Sequence, residues 1–151
     1  MTSQSNSAAG SSEPGDERLL LLAQEPNEVP LLSALTQSAV LSASDAVYDQ
    51  RARRLVLLLN RYRWETNDQT RVRSALRFES VIAVQRRGWP SYGLTSAETA
   101  VLELLAMTYA DDVVTLSFGG GAALRIAVEC VDLVLEDMSG PWRASREPRY
   151  E

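Results

Sequence analysis

Arginine is the residue type with which this chain could do chemistry, and four arginines stand out by their spacing. Arg61 and Arg63 lie near the end of one strand-like segment, and Arg73 and Arg77 lie in the next one. Alternate residues of a strand share a face, and a planar guanidinium binds carboxylates and phosphates through paired hydrogen bonds. We therefore predict an anion- or ligand-binding set on one sheet face, formed by Arg61, Arg63, Arg73 and Arg77.

The composition excludes several classes of catalytic site. The 151-residue sequence has no histidine, and all 15 of its basic residues are arginine. Ser-His-Asp and Cys-His arrangements and the usual zinc hydrolase sites are therefore impossible, as are Schiff-base and phosphate-loop lysines. Carboxylate, tyrosine, serine or oxygen-ligated metal chemistry remains. We expect a protein that is not an enzyme and has no cofactor and no metal site, and we keep a carboxylate- or metal-dependent enzyme as an alternative.

Two other residue sets could carry chemistry. Cys130 is the single cysteine, which excludes an intramolecular disulfide, and we predict a small buried thiol in a strand. Paired carboxylates could bind Mg²⁺ or Ca²⁺, but the acids of the C-terminal half lack the spacing of a calcium loop, and we interpret them as turn and surface residues. These acids are Asp111, Asp112, Asp132, Glu136 and Asp137.

The last two-thirds of the chain look like an internal duplication of one module. The segment Phe78-Glu79-Ser80-Val81 aligns with Val128-Glu129-Cys130-Val131. Residues 51–87 carry ten arginines and three acids, whereas residues 98–138 carry one arginine and eight acids. Neither copy could bury its apolar face alone, so the two should pack together. The opposite charges predict ion pairs between the copies or between two molecules.

The apolar pattern predicts one strand, one helix and two sets of three strands. Residues 98–107 carry two conflicting patterns. Helical spacing follows a capping box there, whereas the repeat favours a strand, and we predict a strand. We place Trp64 opposite Val72 in the first hairpin, and Gly119-Gly120-Gly121 in a turn of the second. The predicted elements are a strand over 18–24, a helix over 28–40, and strands over 40–49, 54–65, 71–87, 101–109, 113–118 and 122–138.

The predicted fold class is α+β and mainly antiparallel, with two three-stranded meanders packed as a sandwich or half-open barrel after one N-terminal strand and helix. Residues 1–17 are predicted to be a disordered tail because they carry almost no large apolar side chains. Residues 18–142 would form a single β-rich domain with an internal repeat at about 40–89 and 100–142. Residues 143–151 would form a C-terminal tail.

Several short motifs follow one another in a distinctive order. They are Leu57-Leu58-Leu59-Asn60-Arg61-Tyr62-Arg63-Trp64-Glu65, Arg71-Val72-Arg73-Ser74-Ala75-Leu76-Arg77-Phe78, Phe118-Gly119-Gly120-Gly121, and Leu135-Glu136-Asp137 followed by Pro141-Trp142. With these motifs the chain resembles a bacterial family known as domain of unknown function 2948, and the likeness extends from about Arg18 to Glu151. The family has no assigned activity that could be transferred, so the resemblance implies only that the arginine-rich strands and the glycine turn are family features.

The expected function is a non-enzymatic cytoplasmic binding or adaptor module of unknown ligand, which acts through the arginine face or by self-association. Its partner would be an unknown protein or a second copy. A nucleic-acid-binding protein that uses the same arginines is the first alternative, although the net charge of −5 opposes it. The N-terminus lacks a signal-peptide pattern and no apolar run is long enough to span a membrane, so we expect no membrane partner.

Overall fold

The computed structural model describes residues 17–90, 100–144 and 148. These residues form one α-helix, three short 3-10 turns and eleven strands. In chain order they are β1 (Leu20–Ala23), a 3-10 turn (Pro26–Glu28), α1 (Val29–Thr36), β2 (Val40–Ser42), a 3-10 turn (Ala43–Asp45), β3 (Ala46–Asp49), β4 (Arg54–Tyr62), β5 (Thr70–Phe78), β6 (Val81–Arg87), β7 (Val101–Ala110), β8 (Val113–Phe118), a 3-10 turn (Gly119–Gly121), β9 (Ala123–Val128), β10 (Leu133–Asp137) and β11 (Trp142–Arg143).

The strands form one open, antiparallel sheet, which confirms the predicted α+β class with an N-terminal strand and helix. The strand order is β1-β10-β5-β4-β2-β7-β8-β9-β6, with β3 also paired to β4 and β11 to β5. We call β1, β10, β5, β4, β3 and β2 the first half-sheet, and β7, β8, β9 and β6 the second half-sheet. They join where Leu41 of β2 pairs with Leu102 of β7. Within the described residues, β1 and β6 lie at the two ends of this order, and β3 and β11 each pair with one strand.

Each half-sheet contains the predicted three-stranded meander plus a strand from the other half of the chain. The segments predicted as single strands over 71–87 and 122–138 are both interrupted, at Glu79–Ser80 and at Glu129–Asp132. Beyond the interruption β6 pairs with β9, and β10 pairs with β5. Apart from β1, β3 and β11, the strand order is thus symmetric about the β2–β7 contact. This order supports the internal duplication, which stays a prediction.

Alternation along the strands gives each half-sheet one buried face. Leucines at every second position of β4 are buried, and β8 and β9 show the same pattern. Both half-sheets contribute to one hydrophobic core, which also receives Val29 and Leu32 from α1. Helix α1 is shorter than the predicted range of 28–40 because it ends at Thr36, and Ser38 adopts a positive φ of 66° before β2 begins.

The predicted register of the β4–β5 hairpin is wrong. Arg61, not Trp64, lies opposite Val72, and a shift by an odd number of residues moves every side chain to the other face. Strand β4 ends early, at Tyr62, because the chain turns there, with the Thr66 N–H donating to the Arg63 carbonyl at 3.2 Å. Arg61 therefore faces the core, while Arg73 and Arg77 face outward.

Other local predictions have mixed outcomes. Residues from Val101 onward are a strand, as the repeat predicted. The glycine triplet does connect two strands, with φ values of 81° at Gly120 and 90° at Gly121. The predicted buried strand at 18–24 is instead an edge strand, since Leu20 and Leu22 are exposed. Cys130 is also exposed, because it lies in the bend between β9 and β10.

The predicted division into one domain and two tails stays a prediction. Residues 1–16 of the N-terminal tail lie outside the described residues, as do 145–147 and 149–151 at the C-terminus. In the described part of the chain, no helix is long and apolar enough to cross a bilayer.

Candidate functional site

Arg61 is fully buried and has no hydrogen-bonding capacity left for a ligand. Its Nε donates to Ser74 Oγ at 3.4 Å, and its Nη1 donates to the Leu35 carbonyl at 3.3 Å and to Glu65 Oε1 at 2.8 Å. Its Nη2 donates to Glu65 Oε2 at 2.8 Å and to Asp137 Oδ1 at 3.1 Å. A guanidinium has five N–H donors, and these contacts use all of them.

The carboxylates around Arg61 complete a buried structural network. Asp137 also accepts hydrogen bonds from Ser74 Oγ at 2.7 Å and from the Leu19 N–H at 2.9 Å. Burial alone would lower the pKa of Arg61, but its two carboxylate partners raise it above the ordinary value. Burial would raise the pKa of Glu65, but the hydrogen bond and charge of Arg61 lower it. This network ties β4, β5 and β10 to the chain before β1, so Arg61 stabilises the fold.

Arg63 organises the turn between β4 and β5. Its side chain is 3% exposed, its Nη1 donates to Thr70 Oγ1 at 3.1 Å, and the same nitrogen lies 3.5 Å from Asp68 Oδ2. Hydrogen bonds from Thr66 and Thr70 lower the pKa of Asp68. Arg63 is thus turned into the hairpin and does not reach the surface that carries Arg73 and Arg77.

Arg73 and Arg77 do lie on the outward surface of the first half-sheet, but both have intramolecular partners. Arg73 donates from Nη1 to Asn60 Oδ1 at 3.1 Å and from Nη2 to Asp45 Oδ2 at 3.3 Å. The Nε of Arg77 lies 2.7 Å from Glu79 Oε2, which also accepts from Arg54 Nε. The predicted cluster of four arginines on one face is therefore wrong, since two are buried and two are exposed and paired.

Arg71 is a surface arginine that the sequence analysis missed. It shares the outward face of β5 with Arg73 because the two residues are two positions apart. Its Nη1 donates to the Asn60 carbonyl at 2.9 Å, and its Cζ lies 5.8 Å from the centre of the Tyr62 ring. Burial lowers the pKa of Arg71. The alternation of arginines at positions 71, 73 and 77 of β5 was the available signal.

Ion pairs do form between the basic and acidic halves of the chain. Arg61 binds Asp137, and Arg53 Nη2 lies 2.9 Å from Glu129 Oε1. Both contacts join residues that are more than seventy positions apart, as the opposite charges predicted, whereas Arg73 and Arg77 use acids of their own half. Much of the local positive charge is therefore balanced inside the molecule.

The outward surface of the first half-sheet, including the start of β7, is unusually apolar, and we call it the outer face. Cross-strand pairing places Leu22, Val134, Arg77, Val56 and Val47 in one row across it. Nine large apolar side chains of the described residues are exposed, and six of them lie on the outer face: Leu20, Leu22, Val47, Val101, Met138 and Trp142.

Other candidate sites are less developed. A cleft of about 490 Å³ between α1 and β7 is lined by Val29, Pro30, Leu105 and neighbours, without a charged side chain. Among the residues that the structure describes, no group of three Asp, Glu or Cys side chains could hold a metal ion. Asp111 and Asp112 form the β7–β8 turn with positive φ values, and Asp112 accepts a hydrogen bond from the Tyr109 hydroxyl at 3.0 Å.

The sequence matches one protein family over residues 19–150, and the family is described as Protein of unknown function (DUF2948). The chain therefore belongs to the DUF2948 family, as its motifs suggested. No curated protein and no solved structure matches the chain.

Proposed function

We propose that this DUF2948 protein is a non-enzymatic binding module that docks a protein partner on the outer face. The observation that carries the proposal is the concentration of exposed apolar side chains on this one surface. Outward faces of antiparallel sheets are normally polar, and contiguous apolar patches on soluble proteins usually mark interaction sites. Tryptophan, methionine and arginine, which Trp142, Met138 and Arg71 supply here, are enriched at protein interfaces.

The outer face has the dimensions of a protein interface. Across the strands, the outer face spans five strands that are about 4.8 Å apart, which gives about 24 Å. Along the strands, seven residues of β5 rise about 3.4 Å each, which also gives about 24 Å. The resulting flat area is about 600 Å², and the protruding side chains add to it. A standard interface buries about 800 Å² on each partner. Together with Val101 on β7, the outer face is large enough to form most of one side of such a contact.

The charges of the outer face favour a protein over a nucleic acid. Arg73 is paired with Asp45, and Arg77 and Arg54 share Glu79. Binding to a phosphate backbone depends on arginines and lysines that neutralise phosphates, and these arginines are already engaged. Apolar area is what remains to be buried, and a protein partner or a second copy of this chain can supply it. A cytoplasmic location is part of the proposal.

Site-specific photo-crosslinking in cells that naturally make the protein tests this proposal. A photoreactive benzoylphenylalanine at Val47 should give a discrete adduct, because Val47 is 60% exposed on β3, at one side of the outer face next to Val56. The matched control is the same label at Ser117, an exposed position of β8 on the second half-sheet. Mass spectrometry of the adduct identifies the partner, and light scattering of the purified protein shows whether a second copy is that partner.

The expected result is an adduct from Val47 that is absent from Ser117 and that disappears when Leu22 and Trp142 are both replaced by serine. Equal adducts from the two labelled positions would show that the outer face has no preference, and no adduct from Val47 would also refute the proposal. An adduct with RNA or DNA would identify the alternative function.

A further inference from the structure

We propose that Arg71 is the anchor of the outer face and binds a carboxylate side chain of the protein partner. This inference rests on the proposed function, because it names the chemistry that the partner must present to the same surface. The partner segment would carry an aspartate or glutamate next to apolar residues.

The hydrogen bonds of Arg71 leave part of its guanidinium available. Its Nη1 donates to the Asn60 carbonyl at 2.9 Å and to the Ser38 carbonyl at 3.5 Å. Within the described residues, Nε and Nη2 have no acceptor, and no carboxylate forms an ion pair with Arg71. A guanidinium edge with two N–H groups can bind a carboxylate through parallel hydrogen bonds.

Arg71 differs in this respect from its neighbours on the same strand. Arg73 and Arg77 each lie next to an aspartate or glutamate, whereas Glu103 affects Arg71 only at longer range. All three arginines are half-buried, so they differ in the presence of a carboxylate partner and not in their exposure. An incoming carboxylate would therefore gain more by binding at Arg71 than at the other arginines of the face.

The surroundings of Arg71 favour an acidic and apolar peptide segment over a phosphate chain. Trp142 is its cross-strand partner and is 42% exposed, and Met138 follows at the end of β10 beside Arg73. Tyr62, below the guanidinium, also lines a polar cleft of about 220 Å³ with Trp64. Arg73 and Arg77 on this face have carboxylate partners, and Arg71 has none among the described residues, so the face offers a site for one carboxylate next to the apolar side chains of Trp142 and Met138. A phosphate chain needs several uncompensated cations.

A titration monitored by NMR tests the inference on the full-length protein. The probe is the capped tripeptide N-acetyl-Leu-Glu-Leu-amide, and its glutamine counterpart is the control. We expect the glutamate peptide to shift the side-chain Nε signal of Arg71 and the indole signal of Trp142, and to bind about tenfold more tightly than the glutamine peptide, as one charge-assisted pair allows.

Matched variants separate Arg71 from its neighbours. Arg71→Gln should abolish the difference between the two peptides, Arg71→Lys should keep part of it, and Arg73→Gln should leave it within about twofold, since Arg73 is already paired. The direct Nε signal of the wild-type protein needs no variant, so a poorly folded Arg71→Gln protein would not decide the result.

Three outcomes overturn the inference. The first is equal binding of the two peptides, and the second is an equal effect of Arg71→Gln and Arg73→Gln. The third is tighter, Arg71-dependent binding of hexathymidylate than of the glutamate peptide, which would identify a phosphate site. If crosslinks from Val47 persist in the Arg71→Gln protein, the anchor is wrong and the docking face stands. If the wild-type protein gives no such crosslinks, the proposed function fails instead.

Discussion

Replacing Arg61 with methionine removes the cation that Asp137 and Glu65 share in a buried network, and it should destabilise the protein strongly. Asp137 would keep its hydrogen bonds from Ser74 and Leu19 but would become a buried charge without a counter-ion. Breaking one partner of a buried ion pair costs roughly 3–5 kcal/mol. Asp137 has a side chain that is 1% exposed, so water cannot replace the lost cation, and we expect a loss of unfolding free energy in that range.

The matched control is Arg73→Met, which makes the same substitution on the neighbouring strand. The ion pair of Arg73 with Asp45 is 35% and 32% exposed at its two side chains, and exposed pairs contribute at most about 1 kcal/mol. Urea unfolding followed by circular dichroism measures both variants against the wild type, and equal slopes with denaturant would show that the two-state comparison is valid.

A second variant distinguishes the buried charge from lost packing. Asp137→Asn in the Arg61→Met background removes the uncompensated charge and should restore part of the lost stability. A loss below about 1 kcal/mol for Arg61→Met, or an equal loss for Arg73→Met, would refute the assignment of Arg61 to a structural network. It would also reopen the prediction that Arg61 binds a ligand.

Three further predictions concern the pH dependence, the glycine turn and the outer face. The pKa of Glu65 is lowered from an ordinary value of 4.5, so its contribution to stability is complete above the ordinary pKa and is lost as pH falls through the lower, folded-state pKa. Glu65→Gln should therefore be less stable than wild type at pH 7 in urea unfolding, and the difference should shrink as the pH is lowered through and below 4.5. Gly121→Ala should cost about 1 kcal/mol in the same assay because φ is 90° there. A Cβ at Gly119 would lie 4.0 Å from the Glu103 carbonyl oxygen, an ordinary contact, so Gly119→Ala should cost less than about half of that. Leu22→Thr should change the unfolding free energy by less than about 0.5 kcal/mol, since Leu22 is 51% exposed, and a larger loss in thermal unfolding would give Leu22 a packing role.

The strands and their alternation could be predicted from the sequence, because they depend on neighbouring residues. Arg73 and Arg77 lie on the same face of β5, and Gly120 lies in a turn between two strands. Both features depend on local sequence, and both predictions are confirmed. The strand over 101–107 was predicted against its helical spacing by comparison with the first half of the chain, and it is confirmed.

The environment of each arginine could not be predicted, because it depends on register and on distant residues. Strand β4 ends at Tyr62 and not, as predicted, at Glu65. The resulting register places Arg61 and its neighbours on the opposite faces from those predicted. The counter-ion of Arg61 is Asp137, 76 positions away in the sequence. Arg61 and Arg73 are the same residue type in adjacent strands, yet one is 0% and the other 35% exposed.

The exchange of β6 and β10 between the two half-sheets also could not be predicted from local sequence patterns. Apolar residues continue from β5 into β6 and from β9 into β10, so each pair was predicted as one strand. Ser80 adopts a positive φ of 57°, and the Glu129 N–H donates to the Ser80 carbonyl at 3.0 Å. A serine in this conformation is uncommon, and no sequence signal marks the position.

Protection of the outer face in the native cell tests the central claim most directly. In a Cys130→Ser background, Val47→Cys and Ser117→Cys each offer one exposed thiol, and maleimide labelling in cells is compared with labelling of the purified protein. A docked partner predicts that the thiol at position 47 labels slowly in cells and rapidly after purification, while the thiol at position 117 labels rapidly in both. Equal, rapid labelling of both thiols in cells would contradict the account.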